Sequence, residues 1–418
     1  MSRDSRPFPS LREFIGIVAL IMALISLSID NLLPAFGPIQ RALGVTNAND
    51  MQLIVTVYML GSGAMQIFYG PLSDVIGRRP SLMIGLAVYA VGALLGLFAQ
   101  SYEMLLVGRL IQGMGAAAAQ VLSVALVRDR YEGSDMARVL SLVFMVFIMV
   151  PVIAPGIGQL LIALSGWRAV FASMLAMALL VGVWFGLRMP ETLRPEHRMP
   201  HSFRRVGQGI ALTFRARSSM GYGVAIALMM GCLMTYVSTS QQIFETEVYG
   251  LGPKFPFAFG SIAAVMGVAF FANSHLVRSF GMRKLSHICL IAFLGMTLLS
   301  FLAAVFYDGK PPLLLFCALL SAMQFLMCLI FPNFNAMAME PLGAVAGTAS
   351  AVLGVFTTVG GTIIGMIVGR TFDGTVLPLG LTYFVCAVLA LLVVLWAEKG
   401  RLVAAPVRIR PTPTRKAT

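Results

Sequence analysis

The sequence predicts an all-α membrane protein made of two bundles of six transmembrane helices each. Hydrophobic residues make up 58% of the 418-residue chain and charged residues only 11%, whereas soluble domains carry about 25% charged residues. Twelve apolar runs follow one another, each close to the ~20 residues that a helix needs to cross a bilayer. One long polar stretch divides these runs into two equal groups.

The apolar runs are predicted to be membrane-spanning helices. They are too long for buried core helices, and a helix satisfies its own backbone hydrogen bonds inside lipid. The predicted spans are 14–36, 51–73, 80–99, 103–127, 138–161, 167–188, 219–243, 256–277, 284–306, 311–332, 343–369 and 377–397.

The polar stretch at 189–218 is predicted to be a cytoplasmic linker. It joins an N-terminal six-helix bundle at 1–188 to a C-terminal six-helix bundle at 219–398. The remainder, 399–418, is a basic cytoplasmic tail whose charge and prolines predict disorder.

The two halves carry a faint repeat that predicts a pseudo-two-fold relation between them. The segments 73–80 and 277–284 each place a glycine and basic residues in a short turn after the second span of their half. Similar six-helix halves are typical of transporters that work by alternating access around a site near the bilayer midplane.

The basic residues predict the orientation of the chain. Most of the 30 lysine and arginine residues fall in segments that are cytoplasmic if the N-terminus is inside. We therefore expect a multi-pass protein of a bacterial inner membrane with both termini in the cytoplasm. This bias also explains the net charge of +13, so nucleic acid is not an expected partner.

Several other functions are disfavoured by missing motifs. The five cysteines lie inside apolar runs without CxxC spacing, and the four histidines form no HExxH pattern. No nucleotide-binding P-loop is present, so an ATP-driven pump is not expected. We predict neither an enzyme nor a metal site, and no cofactor apart from a proton as coupling ion. A receptor or channel is also disfavoured, because neither requires two six-span halves.

The turn between the second and third spans carries the most specific motif, a segment from Gly70 to Arg79. Gly77 permits a tight turn, and Arg78 and Arg79 hold it at the cytoplasmic face. Asp74 can meet the positive N-terminal end of the eleventh span. The segment resembles the signature of the major facilitator superfamily. The resemblance implies the fold of that superfamily and a conformational latch formed by Gly70, Asp74, Gly77, Arg78 and Arg79. The alternative is that the segment only fixes the membrane topology, which would explain the arginines but not Asp74.

The fifth span contains two prolines and two glycines at close spacing. Pro151 and Pro155 are expected to bend the helix, and Gly156 and Gly158 to let a neighbouring backbone approach. The segment resembles the antiporter motif of drug exporters in this superfamily, although Ala154 departs from its commoner form. A kinked packing helix of any transporter is the alternative.

Three further segments extend the resemblance to most of the chain. Residues 109–115 resemble a third motif of the superfamily, and 29–34 and 332–341 resemble drug:proton antiporters of the Bcr/CflA type. The resemblance implies proton-coupled efflux of small, lipophilic drugs or metabolites across the inner membrane. A proton-coupled importer or exporter of one metabolite, such as a sugar or an amino acid, is the alternative.

Asp30 and Arg109 are the clearest charges inside predicted spans. Each lies about 9 Å below the outer face, where an isolated charge costs about 2.5–3.5 kcal/mol or more. Their shared depth suggests an ion pair or a common water-filled cavity. Pro34 lacks the N–H that would bond the carbonyl of Asp30. We predict that both residues carry proton coupling; a structural pair joining the first and fourth spans is the alternative.

Substrate contacts follow only from the resemblance, which implies that the first, fourth, seventh and tenth spans line the cavity. Any one of these side chains is as readily explained by packing. The predicted contacts are Asp30, Asn31, Gln112, Gln120, Tyr236, Gln241, Gln324, Phe325 and Phe331.

The eleventh span carries two overlapping GxxxG patterns, formed by Gly361, Gly365 and Gly369. Such patterns bring helices into close contact. We predict packing inside the bundle and a protein that functions as a monomer.

Overall fold

The computed structural model describes residues 8–131, 133–193 and 203–402, and regular structure in these ranges is entirely helical. The α-helices are α1 (Leu11–Asp30), α2 (Phe36–Leu43), α3 (Leu53–Ile76), α4 (Arg78–Leu97), α5 (Tyr102–Arg130), α6 (Gly133–Ser165), α7 (Arg168–Arg188), α8 (Phe203–Arg215), α9 (Arg217–Gln241), α10 (Phe255–Phe280), α11 (Met282–Phe306), α12 (Leu313–Met339), α13 (Ala346–Arg370) and α14 (Leu377–Ala397).

These helices confirm the predicted all-α membrane fold. Within the described residues, 11 helical segments are long and apolar enough to cross a membrane. The fifth span corresponds to α6, which contributes the shorter apolar segment Met149–Ser165. The first span consists of α1 and α2, the second to sixth are α3 to α7, and the seventh to twelfth are α9 to α14.

The two halves meet through two equivalent pairs of helices. The second helix of each half packs on the fifth helix of the other, so that α3 contacts α13 and α10 contacts α6. This reciprocal contact is the arrangement expected from a two-fold relation between the halves. We call the side that holds the start of α1 and the end of α14 the terminal face, and the opposite side the distal face.

The first span is broken at the position where the sequence predicts a missing hydrogen bond. Helix α1 ends at Asp30, and a short 3₁₀ segment, Leu33–Ala35, leads into α2. Pro34 cannot donate to the carbonyl four residues earlier, which explains the break. The carboxyl group of Asp30 therefore sits at a helix end inside the bundle.

Close contacts between glycines and neighbouring backbones hold the N-terminal half together. Gly113 of α5 packs against the carbonyl of Tyr58 in α3, and Gly115 packs against the backbone nitrogen of Tyr89 in α4. A side chain at either glycine would collide with backbone atoms, which cannot rotate away. Because α5 contacts both neighbours this way, its depth and rotation are fixed, and so is the position of Arg109.

We expect Gly113→Val to prevent normal folding, because the added atoms would force α3 and α5 apart. Gly295→Val in α11 is the matched control, since nothing lies within 4 Å of a Cβ built there. Size-exclusion profiles and melting curves of the detergent-purified proteins measure the effect. The Gly113 variant should aggregate or melt far lower than the control. Equal melting temperatures would contradict the packing described above.

The GxxxG glycines of α13 pack within the chain, as the sequence predicts. Gly361 lies against Met230 and Gly365 against Met234, both on α9. Gly369 lies against the side-chain amide of Gln52, which belongs to the other half. These contacts explain why α13 carries small residues along one face.

The linker contains a helix that the sequence analysis does not predict. Helix α8 spans Phe203–Arg215 and packs against α9 and α13 of the C-terminal half. Residues 194–202 of the linker and 403–418 of the predicted disordered tail lie outside the described residues. The carbonyl of Leu402, where the described chain ends, accepts a hydrogen bond from His287 Nδ1.

Candidate functional site

Asp30 is a buried carboxylate at the break in the first span. Its side chain is 6% exposed, and its Oδ2 accepts a hydrogen bond of 2.6 Å from Ser26 Oγ. Among the described residues, Asp30 forms no ion pair with a cation within 4.0 Å. A carboxylate in this setting is costly unless a proton or a bound group neutralises it.

Arg109 is completely buried and does not bind Asp30, so the ion-pair interpretation is wrong for this structure. Its Nε donates to the carbonyl of Ile54 at 3.1 Å, and its Nη1 donates to Gln112 Oε1 at 2.6 Å. The guanidinium lies 4.3 Å from the ring centroid of Tyr58. Nη2 has no hydrogen-bond partner among the described residues, so its two N–H groups remain free in a buried cation.

Tyr236 of α9 places a free hydroxyl group in the same region from the other half. Its side chain is 2% exposed, and its ring stacks on Phe259 at 5.5 Å between centroids. Its hydroxyl group has no hydrogen-bond partner in the described parts of the chain. Helix α9, which carries Tyr236, contacts the 3₁₀ segment Leu33–Ala35 that follows Asp30. A buried unpaired hydroxyl group is unusual in a folded protein. Asp30 and Tyr236 therefore bring polar groups from both halves into one region of the bundle.

We expect Tyr236→Phe to leave thermal stability unchanged or slightly higher, because the hydroxyl group makes no bond whose loss would cost energy. Transport of substrates that bond to this hydroxyl group should fall about tenfold. Melting curves and uptake by proteoliposomes measure the two effects. A drop of several degrees in melting temperature would show that the hydroxyl group is already satisfied.

A glutamine cluster connects the halves nearer the terminal face. Gln66 Nε2 donates to Gln120 Oε1 at 3.1 Å and to Thr358 Oγ1 at 3.4 Å, and Ser62 Oγ donates to Gln120 at 3.4 Å. Gln120 is exposed although it lies well inside α5. The sequence analysis missed Gln66, although an amide inside an apolar span is the signal that could have identified it.

The distal ends of the two halves are joined by a polar network that we call the distal seal. It consists of Asn49, Gln52 and Asp50 from one half and Gln242 and Arg370 from the other. Gln52 Nε2 donates to Gln242 Oε1 at 2.5 Å, and Gln242 Nε2 donates to Asn49 Oδ1 at 2.7 Å. Asp50 pairs with Arg370 at 3.6 Å. This network closes the distal side of the candidate site.

The predicted latch residues are bonded within the N-terminal half. Asp74 pairs with Arg78 at 2.6 Å, and Arg78 also pairs with Asp129 at 2.9 Å. The backbone N–H of Arg78 donates to Glu191 at 2.9 Å, beside Gly77, whose φ is +103°. The sequence analysis missed Asp129 and Glu191, because a spacing pattern does not reveal partners on other helices.

The contact of Asp74 with the eleventh span stays a prediction. Helix α13 begins at Ala346, and the side chains of 343–347 lie outside the described residues. Arg79 binds the carbonyl of Gly186, and Gly70 has no neighbour within 4 Å of a Cβ built on it. The described bonds therefore give the arginines a role within their own half.

The C-terminal half repeats this charge cluster. Arg283 follows Gly281, which also has a positive φ of +76°, and pairs with Glu340 at 2.8 Å and Glu398 at 3.3 Å. Tyr222 donates to Glu398 at 2.6 Å.

The ion pairs near the terminal face among the described residues thus lie within single halves. Polar bonds join the two halves at the distal face and in the middle of the bundle. Together with the exposed Gln120, this indicates a site that opens toward the terminal face.

The glycines of the fifth span differ in their surroundings. A Cβ at Gly158 would lie 2.7 Å from Asn31 Oδ1 and closer still to the carbonyl of Asn31, so α6 packs directly on the break in the first span. Gly156 has no neighbour among the described residues within 4 Å of a built Cβ, so its predicted backbone contact is not made there. Helix α6 continues through Pro151 and Pro155.

The remaining predicted substrate residues do not all face the site. Gln324 accepts a bond of 3.2 Å from Tyr383 and is buried inside the C-terminal half. Phe325 lines a separate, open groove of about 500 Å³ between α10, α11 and α12. Successive helix residues point about 100° apart, so a prediction made by span rather than by face includes both. Gln241 is buried near the distal seal, and Phe331 is half-buried.

Comparisons with known proteins agree with this architecture. The profile of the Major Facilitator Superfamily matches residues 18–365. A bicyclomycin resistance protein homolog of Haemophilus influenzae is 29% identical over 91% of this chain and 94% of its own. Multidrug resistance protein D of Escherichia coli is 27% identical over 78% of this chain and 81% of its own. The crystal structure of a D-xylose-proton symporter shares the fold, with a TM-score of 0.73 at 15% identity over 94% of this chain and 100% of its own.

Proposed function

Because the chain belongs to the Major Facilitator Superfamily, whose members are transporters and not enzymes, we propose that it exports small lipophilic molecules in exchange for protons. The observation that carries the proposal is the buried carboxyl group of Asp30 at the break of α1, which forms no ion pair within 4.0 Å with a cation of the described residues. The drug-resistance names of two relatives support export of drug-like compounds. We further propose that the terminal face is cytoplasmic and that the membrane is the bacterial inner membrane.

Exchange follows from the cost of an unneutralised charge in the bundle. When Asp30 holds a proton it is neutral, and when it loses the proton a bound substrate must offset the charge by donating hydrogen bonds or by its own positive charge. An empty, ionised site is disfavoured in either orientation. Proton and substrate therefore compete for one carboxyl group, which is the minimal requirement for antiport.

Tyr236 and Arg109 would act on the bound substrate in different ways. The free hydroxyl group of Tyr236 can donate or accept a hydrogen bond from the C-terminal half. The free Nη2 of Arg109 offers only a donor. A substrate that bonds to both Asp30 and Tyr236 would link the two halves, and binding would then favour their closure.

Alternating access requires the distal seal to break while the terminal side closes. The seal consists of side-chain hydrogen bonds and one ion pair at 3.6 Å. Such contacts between partly solvated groups contribute little each, so they can be exchanged for water as the halves rock. The predicted contact of Asp74 with α13 would hold the terminal side shut in the opposite state.

The proton gradient is sufficient for this work. One proton moving through 100 mV supplies about 2.3 kcal/mol, and one pH unit adds about 1.4 kcal/mol. One-for-one exchange with a neutral substrate therefore supports a gradient of about several hundredfold.

Transport by reconstituted protein tests the proposal. Proteoliposomes with an imposed pH difference would be offered a panel of lipophilic compounds that includes bicyclomycin. We expect at least one compound to move against its gradient and an uncoupler to stop it. Movement of none of the compounds, with no accompanying proton flux, would contradict drug:proton antiport.

A further inference from the structure

A small chamber lies beside the break in the first span, between α1, α4, α6 and α7. It has a volume of about 150 Å³, and its walls include Leu24, Leu27 and Met177. An apolar cavity of about this size accommodates one benzene ring. The size of the chamber therefore matches a single six-membered ring.

One residue of the chamber wall carries a buried polar atom that has no partner among the described residues. Asn31 lines the chamber and is 2% exposed, and its Oδ1 makes no hydrogen bond with the residues that the structure describes. The amide orientation is fixed by its neighbours, because Nδ2 donates to Ser173 Oγ at 3.3 Å, and Ser173 itself donates to the carbonyl of Val170 at 2.7 Å. The buried group left over is therefore an acceptor, and buried acceptors are normally satisfied.

The chamber is linked to the buried cation of the candidate site through two intervening side chains. Met174 lines the chamber, and its sulfur accepts a hydrogen bond of 3.5 Å from Gln112 Nε2. The other end of the same amide binds Arg109. An occupant that displaces Met174 would move Gln112, so binding in the chamber would alter the hydrogen bond between Gln112 and Arg109.

We propose that this chamber binds one aromatic ring that carries a hydrogen-bond donor, as in a phenol or an aniline, with the donor directed at Asn31 Oδ1. As a subsite for exported compounds, the chamber rests on the proposed efflux function. As a binding site, it does not, because binding requires neither a gradient nor a direction of transport. The ring would pack on the aliphatic walls, and the donor would satisfy the free oxygen.

Fluorine NMR on the full-length protein in detergent tests this with two probes of equal shape, 4-fluorophenol and 4-fluorotoluene. We expect both to bind, with the phenol favoured by about three- to tenfold, as one hydrogen bond to a buried acceptor provides. Leu27→Trp, which fills the chamber, should abolish binding of both. Leu187→Trp, at a side chain 69% exposed on α7, is the matched control and also accounts for partition into detergent.

Asn31→Leu tests the contribution of the amide oxygen separately from that of the apolar walls. This variant should still bind 4-fluorotoluene but lose the preference for the phenol. Equal binding of both probes to the unaltered protein, or binding of neither, would overturn the proposal even if a variant fails to fold. A phenol preference that survives Asn31→Leu would overturn it too. Efflux that fails in liposomes while the phenol preference holds would reject the transport proposal and keep the chamber.

Discussion

Asp30→Asn is expected to abolish accumulation driven by a pH gradient while leaving exchange of substrate for substrate. Asparagine keeps an oxygen that can accept from Ser26, so the local fold should survive, but the side chain can no longer take up a proton. The attainable gradient should fall from about several hundredfold to a ratio near one. Uptake by proteoliposomes, with and without a pH difference, measures both modes.

Glu103→Gln is the matched control for this change, because it also neutralises an acid but at an exposed position at the start of α5. It should accumulate substrate as the unaltered protein does. If Asp30→Asn retained full gradient-driven accumulation, the coupling carboxyl group would have to be sought elsewhere in the chain.

Tying the distal seal shut should stop transport reversibly. In a background without the five native cysteines, Gln52→Cys and Gln242→Cys would be joined by a short, reducible bis-methanethiosulfonate. The two amides lie 2.5 Å apart, so a short bridge spans the position with the distal side closed. We expect transport to fall more than tenfold on cross-linking and to return on reduction, because substrate cannot leave on the distal side.

Each single-cysteine variant treated with the same reagent is the control and should transport normally. Substrate binding from the terminal side should persist in the cross-linked protein, since the seal does not cover that opening. Full transport by the cross-linked protein would mean that the halves do not separate at Gln52 and Gln242, and rocking about the central site would be excluded.

Features set by local chemistry were predictable from the sequence. The break after Asp30 follows from Pro34 alone, since the missing donor is four residues from the carbonyl. The close packing of Gly361 and Gly365 follows from their four-residue spacing, which puts them on one face of α13. The helices themselves follow from the length of each apolar run.

Features that depend on how helices are rotated against each other were not predictable. Depth alone suggested that Arg109 meets Asp30, but the guanidinium is turned toward Ile54 and Tyr58. It donates to the backbone carbonyl of Ile54 and lies over the ring face of Tyr58. Phe325 was assigned by span, and its side chain lines an open groove elsewhere in the C-terminal half. Sequence spacing gives no information on such rotations between helices.

Counting protons released on substrate binding tests the central claim most directly. Calorimetric titration of the purified protein with its best transported compound, repeated in buffers of different ionisation enthalpy, gives this number. Competition at Asp30 predicts close to one proton released per substrate bound by the unaltered protein and none by Asp30→Asn. Heats independent of the buffer in the unaltered protein would contradict the exchange of proton and substrate at that carboxyl group.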